Sequence, residues 1–290
     1  MPWDDTTLVV ADLIRSGEKG EKLSIDGPSR RVVAGGNGKG VSAMEPVWFL
    51  SSSSSDPGST EFRLAFISDE TGWWNVYAEG EGGGERRDNF FEGFSASLFF
   101  VFERREKILA PPPSLPLFFI PPSKPPSRKN AVPARNLWPD AAEFAGPAWG
   151  MGSRPLRALP AGGGGGGARL VARRSAPGES AAQLVVLDPR SSDPSKPLVL
   201  DTGAFTGFGR IAVAGGTGGA GAASLAVVAA QPTAPAALVE ASLNLSSPSS
   251  APWSVVAKSS DLAGIEGFVS TPRVVKFPTG KKDGKEFAYL

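Results

Sequence analysis

The chain of 290 residues contains no cysteine and no histidine. The first absence excludes disulfides and thiolate chemistry. The second removes every Ser-His-Asp triad, every Cys-His dyad and every imidazole metal site. A strong charge of one sign is lacking too: Lys+Arg is 30 against Asp+Glu 29, for a formal net charge of +1. A general nucleic-acid binder carries a marked basic excess, so that class loses its footing. No apolar run reaches the roughly 20 residues that cross a bilayer. The N-terminal Met1-Pro2-Trp3-Asp4-Asp5 has neither the basic nor the apolar region of a secretory leader, which favours a cytoplasmic location.

What is abundant is punctuation. Gly 36 and Pro 27 together exceed a fifth of the chain, against an average near 12%. Both residues damage helix interiors, so the expected class is all-β. Short β-branched runs bear this out along residues 1–88: Leu8-Val9-Val10-Ala11, Lys22-Leu23-Ser24-Ile25 and Arg31-Val32-Val33-Ala34. The serine tract Ser51–Ser55 reads as a solvated loop. Glu61–Ile67 is a strand apolar on both faces, with Phe62, Leu64 and Phe66 on one side and Ala65 and Ile67 on the other; it belongs between two sheets. Ser68-Asp69-Glu70-Thr71-Gly72 is a turn, in which Asp69 can bond the backbone ahead and Gly72 can take positive φ. Trp73-Trp74-Asn75-Val76-Tyr77 then resumes a strand.

Residues 89–129 differ in kind. Pro111-Pro112-Pro113 and Pro121-Pro122-Ser123-Lys124-Pro125-Pro126 give a low-complexity insertion with the composition of polyproline II or disorder. Its PxxP spacings arise by chance in any such tract. Over residues 130–276 the strand rhythm returns. Arg169–Ala172 and Ala182–Asp188 form an expected hairpin, followed by strands at 197–200, 210–213, 225–228, 237–240, 253–257 and 273–277. Many short strands at regular spacing indicate a sandwich, a barrel or a propeller.

Motifs that would carry chemistry fail one by one. GxSxG is absent; Gly93-Phe94-Ser95-Ala96-Ser97 lacks the final glycine. Ser16-Gly17-Glu18-Lys19 matches SxxK without its companion motifs and lies between two expected strands. Gly216-Thr217-Gly218-Gly219-Ala220-Gly221 fits the dinucleotide fingerprint GxGxxG, with Glu240 roughly 20 residues on. That would make the chain a nucleotide-binding oxidoreductase. Yet Ala222–Ala230 is short for the helix this fingerprint needs, and Pro232 would stop it. A hairpin turn is the better reading. The carboxylates of Asp69, Glu143 and Asp261 read as turn or surface groups. The tryptophans Trp73, Trp74, Trp149 and Trp253 read as packing between sheets. No catalytic, cofactor-binding or metal residue is assigned.

Four stretches in order carry a resemblance. They are Met1-Pro2-Trp3-Asp4 with Val10-Ala11-Asp12-Leu13; Phe66–Tyr77, the most specific; Ala142-Glu143-Phe144-Ala145-Gly146-Pro147-Ala148-Trp149; and Ser259-Ser260-Asp261-Leu262 with Ser270-Thr271-Pro272 and Phe277-Pro278-Thr279-Gly280. Together they resemble the β-propeller of prolyl oligopeptidase-family serine peptidases, in the dipeptidyl aminopeptidase and acylaminoacyl-peptidase branch. The resemblance implies a partial propeller of short antiparallel blades over 1–88 and 130–276. In that family the propeller gates peptide access to an α/β-hydrolase domain bearing a Ser-Asp-His triad. Residues 277–290 would begin the connection to that domain, so this chain reads as an interior portion with no catalytic residue of its own. Asp69, Gly72, Trp73, Trp74, Asn75 and Trp149 are then turn and blade-packing residues. No cofactor is implied, and neither nucleic acid nor membrane is a partner. Peptide substrate would be met only in a full-length enzyme, and open blade edges imply self-association. A stand-alone propeller-like protein-binding module is the other reading.

Overall fold

A computed structural model describes residues 6–11, 13–16, 22–25, 31–35, 40–52, 60–80, 101–103, 134–146, 152–160, 168–191, 193, 197–215, 222–244, 252–261, 264, 266–278 and 287–289. These residues form strands β1 (Thr7–Val10), β2 (Leu13–Ser16), β3 (Lys22–Ile25), β4 (Arg31–Gly35), β5 (Ala43–Ser52), β6 (Thr60–Ser68), β7 (Asn75–Glu79), β8 (Val101–Glu103), β9 (Ala134–Asn136), β10 (Leu156–Ala158), β11 (Leu170–Arg174) and β12 (Gln183–Leu187). They continue with β13 (Leu198–Val199), β14 (Gly207–Gly215), β15 (Ala222–Gln231), β16 (Ala234–Asn244), β17 (Trp253–Lys258), β18 (Lys276–Pro278) and β19 (Phe287–Tyr289). Helix among the described residues is a single 3₁₀ turn, Glu266–Phe268. The class is all-β, as the glycine and proline content predicts.

All strand pairs are antiparallel. Three four-stranded sheets run β5-β6-β7-β9, β10-β11-β12-β13 and β14-β15-β16-β17; a three-stranded sheet runs β4-β1-β8, and β2-β3 and β18-β19 are two-stranded ribbons. The sheets β10–β13 and β14–β17 are meanders taken up in chain order; in β5-β6-β7-β9, β9 pairs with β7 after the chain has supplied β8 to the β4-β1-β8 sheet. The expected hairpin at 169–188 is the β11–β12 pair, with Leu170 opposite Leu187.

The sheets pack face to face in chain order. Leu8 and Val10 of β1 meet Leu64 and Phe66 of β6 in one core. Ala65 and Ile67, on the other face of β6, join Leu170, Ala172, Val185 and Leu187 in a second. Val171, Leu184 and Val186, on the far faces of β11 and β12, join Leu225, Val227 and Val239 in a third. Strands buried on both faces have no polar side to show, which is why their sequences are near-continuous apolar runs. In the last sheet the alternation returns. In β15 and β16, Val227 and Val239 are buried while Val228 and Leu238 are 45% and 40% exposed; the edge strand β17 is exposed along nearly all its length. The first strands of successive sheets also touch: β10 lies against both β5 and β14.

Several sequence expectations need correction. Ser51 and Ser52 are not loop; they end β5, pairing with Glu61 and Thr60, and Ser51 is buried. Backbone pairing to β6 there outweighs the low strand propensity of serine. Within 89–129, Val101–Glu103 forms β8 on the free edge of β1. The rest of that stretch lies outside the described residues. Arg273–Val275 is not strand, and β18 begins at Lys276. Residues 216–221 lie outside the described residues, but Ala222–Gln231 is strand and Gly215 pairs with Ala223. As expected for a hairpin and not a dinucleotide-binding helix, β14 and β15 pair antiparallel.

Candidate functional site

The turn at 69–72 forms as its residues predict. Gly72 has φ 83°, and its N–H donates to the Asp69 carbonyl at 2.8 Å. The Asp69 side chain, however, reaches across the sheet: its Oδ1 accepts the Ser42 N–H at 2.7 Å. Asp69 therefore fixes the start of β5 as well as the turn.

Asn75 opens β7 and is fully buried. Its Nδ2 donates to the carbonyls of Asp140 and Ala142 at 3.0 and 3.2 Å. Its Oδ1 accepts the Asp140 N–H at 3.1 Å and Asn136 Nδ2 at 3.0 Å. An asparagine can make about four such bonds, so this one is saturated. The segment it grips, residues 137–146, carries the chain from the last strand of one sheet, β9, toward the first strand of the next, β10. Backbone bonds complete the grip. Trp74 N–H donates to Glu143 Oε2 at 3.0 Å, and Phe144 N–H donates to the Trp74 carbonyl at 2.8 Å.

The same crossover is tied to the following sheet. Glu143 and Ser175 exchange backbone bonds of 2.8 and 2.9 Å. Arg174 at the end of β11 pairs with Asp140 at 2.6 Å and with Glu179 at 2.8 Å. Its guanidinium also lies 5.2 Å from the Trp138 ring centroid, and Trp138 meets Phe144 edge-on. Burial, opposed by the carboxylates of Asp140 and Glu179, leaves the Arg174 guanidinium above its ordinary value. Glu143 behaves in the opposite sense for an acid: burial is the main cause that raises its carboxyl, the Trp74 N–H opposes, and Asp69 adds to the rise. Asp69 and Glu143 thus share one electrostatic neighbourhood, which their separation in sequence gives no reason to expect. Both accept backbone N–H groups, so their visible work is to hold backbone. Asp261 is exposed.

Other sheet pairs are cross-linked by arginine as well. Arg31 of β4 pairs with buried Glu79 of β7 at 2.6 Å, and Glu79 Oε2 also accepts the Leu64 N–H at 3.1 Å. Arg157 of β10 and Arg173 of β11 donate to the carbonyls of Ile211 and Phe208 at 3.1 and 3.2 Å. Those two carbonyls flank the bulge where β14 slips register against β15. Burial holds both arginines below the ordinary guanidinium value.

Of the packing residues expected from sequence, Trp74 and Asn75 form this clamp, while Asp69 and Gly72 form the turn that precedes it. Trp74 packs on the core between the second and third sheets, and Trp253 on the core between the third and fourth. Trp73 is half-buried beside the turn, and Trp149 lies outside the described residues. Sequence reasoning missed Asn136, Trp138, Asp140 and Arg174. Their signal was the polar string at 135–140 beside a run already singled out at 142–149. Among the described residues no three His, Cys, Asp or Glu side chains are grouped to hold a metal. No family model matches the chain, and no curated protein is significantly similar to it.

Proposed function

We propose that this chain is the propeller portion of a serine-type peptidase of the prolyl oligopeptidase family, gating peptide access to a hydrolase domain without cutting peptide itself. The observation that carries this reading is the meeting of two stretches of the resemblance. Phe66–Tyr77 and Ala142–Trp149 are far apart in sequence, with a proline-rich tract between them. Trp74, Asn75, Ala142, Glu143 and Phe144 nonetheless bond directly to one another. Motifs that interlock in space are what a shared blade-to-blade junction would require.

The sheet arrangement supports the same reading. Four-stranded antiparallel sheets follow one another, each packed on the next, with β10 touching the first strands on either side. A propeller blade has this design, with its first strand innermost. The exposed Val228 and Leu238 of β15 and β16 are apolar surface of the kind a blade presents where a neighbour would pack.

The test combines two measurements. A fluorophosphonate probe added to the purified chain should label no serine, and aminoacyl p-nitroanilides should not turn over. The transcript read past codon 290 should encode GxSxG followed by Asp and His in frame. A labelled serine within these residues would refute the gating role, and a stop codon directly after Leu290 would refute the peptidase.

A further inference from the structure

Two register slips and both left-handed non-glycine residues among the described residues fall in or just before the first strands of three successive sheets. β5 slips register between Met44 and Val47, and β14 between Phe208 and Ile211. Glu45 and Arg154, with φ of 51° and 46°, are the non-glycine residues in left-handed backbone among the described residues. Bulges and strained residues of this kind re-aim side chains and gather at functional sites.

These irregular segments converge. Ser153 Oγ donates to Glu45 Oε1 at 3.2 Å. Ile211 N–H donates to the Arg154 carbonyl at 3.3 Å. Arg210 Nε donates to the Gly152 carbonyl at 3.0 Å, and Arg157 Nε to the Ile211 carbonyl at 3.1 Å. Among the described residues the locus therefore holds Arg154, Arg157 and Arg210 beside the acid Glu45. Among the described residues, none of the three guanidiniums is ion-paired with a carboxylate. Arg154 and Arg210 are exposed and Arg157 is half-buried. Arg157 is held below its ordinary value first by burial, then by the charge of Arg154 and, more weakly, of Arg210, while Glu45 pulls the other way.

Like charges held together repel one another unless an anion joins them. Two of the three guanidiniums are fixed by carbonyl bonds, Arg210 through Nε and Arg157 through Nε and through Nη1 to the Leu156 carbonyl at 2.9 Å, so an anion bound by their remaining N–H groups would cost little further side-chain entropy. We propose that Arg154, Arg157 and Arg210 form an oxyanion-binding site on the first-strand edge of the sheets, suited to a carboxylate or a phosphate. Such a site would act whether or not the sheets cap a hydrolase.

The full chain should be titrated by calorimetry with inorganic phosphate and with an acetylated trialanine bearing a free C-terminal carboxylate, the C-terminal amide serving as reference. Binding of either acid, with none of the amide, is expected. R154Q/R210Q should weaken it at least about tenfold, as expected for losing charge-assisted bonds. R190Q, which removes an exposed arginine paired elsewhere with Asp188, should leave it unchanged. Arg154 makes no side-chain hydrogen bond among the described residues, so R154Q alone carries the test if the double variant does not fold. Phosphate without tripeptide identifies a phosphate site, and the reverse a carboxylate site. No binding of either at millimolar concentration, or equal binding by R154Q, would overturn the assignment.

Discussion

Replacing Asn75 with alanine removes four hydrogen bonds from a fully buried position. The Ala142 carbonyl is deepest, since Ala142 itself is fully buried. The Asp140 N–H, the Asp140 carbonyl and Asn136 Nδ2 are part-buried, and water can answer some of them. An unanswered buried polar group costs about 1–3 kcal/mol, and the four losses do not add fully. A destabilisation of about 3 kcal/mol follows, a large share of the 5–15 kcal/mol typical of a folded domain. Asn75→Asp should be worse at neutral pH, because a carboxylate would face the carbonyls of Asp140 and Ala142 in place of an NH₂. It should recover partly as the pH falls and the carboxyl regains a proton. The assay is urea unfolding followed by tryptophan fluorescence, with Trp74 and Trp138 as natural reporters beside the clamp. Hydrogen exchange should show the Asp140 and Phe144 amides losing protection first. An Asn75→Ala protein within 0.5 kcal/mol of the parent, a spread of the size seen for ordinary surface changes, would refute the clamp.

Three further outcomes follow. Glu143 has a carboxyl raised above its ordinary value of 4.5 by burial, so its contribution favours the fold below that value and is lost as the pH rises through the folded value. Glu143→Gln should therefore flatten the stability profile just above pH 4.5, while keeping the Trp74 bond; an unchanged profile in acid-to-neutral melts contradicts this. Gly35 has φ 71°, and a Cβ there would lie 2.0 Å from the Thr6 carbonyl oxygen. Gly35→Ala should cost more than the roughly 1–2 kcal/mol of a left-handed alanine, read as a lowered midpoint in thermal circular dichroism. On the open face of the last sheet, V228K/V256K should reduce self-association in sedimentation velocity, since it places charge on an apolar surface. A parent chain that is already monomeric at all concentrations would count against that face as a contact surface.

The all-β class was legible because glycine and proline leave little room for helices. The burial of β6 on both faces was legible because Leu64, Ala65, Phe66 and Ile67 offer no polar side. The turn at Asp69–Gly72 was legible from local chemistry, but the reach of Asp69 to Ser42 was not, because a cross-strand partner leaves no local mark. Ser51 was misread for a related reason: strand pairing overrides the polar tract around it. At the clamp, Asn75 and Glu143 were each visible as members of specific stretches. Their junction depends on a long-range fold that no periodicity announces, and Arg174 and Asp140 enter only through it. The arginines around the β5 and β14 bulges were equally silent, since a register slip is invisible until two strands are paired.

If the chain is a propeller portion, as proposed above, its successive sheets diverge like blades from their first strands. The absence of cysteine allows spin labels to be placed at will. Electron–electron resonance distances should be measured for Arg154→Cys with Ala212→Cys, near the first strands, and for Val199→Cys with Val256→Cys, on the last strands of the same two sheets. Blades predict a markedly longer distance for the second pair. Equal distances, as in two sheets stacked flat about 10 Å apart, would contradict the propeller and the gating role built on it.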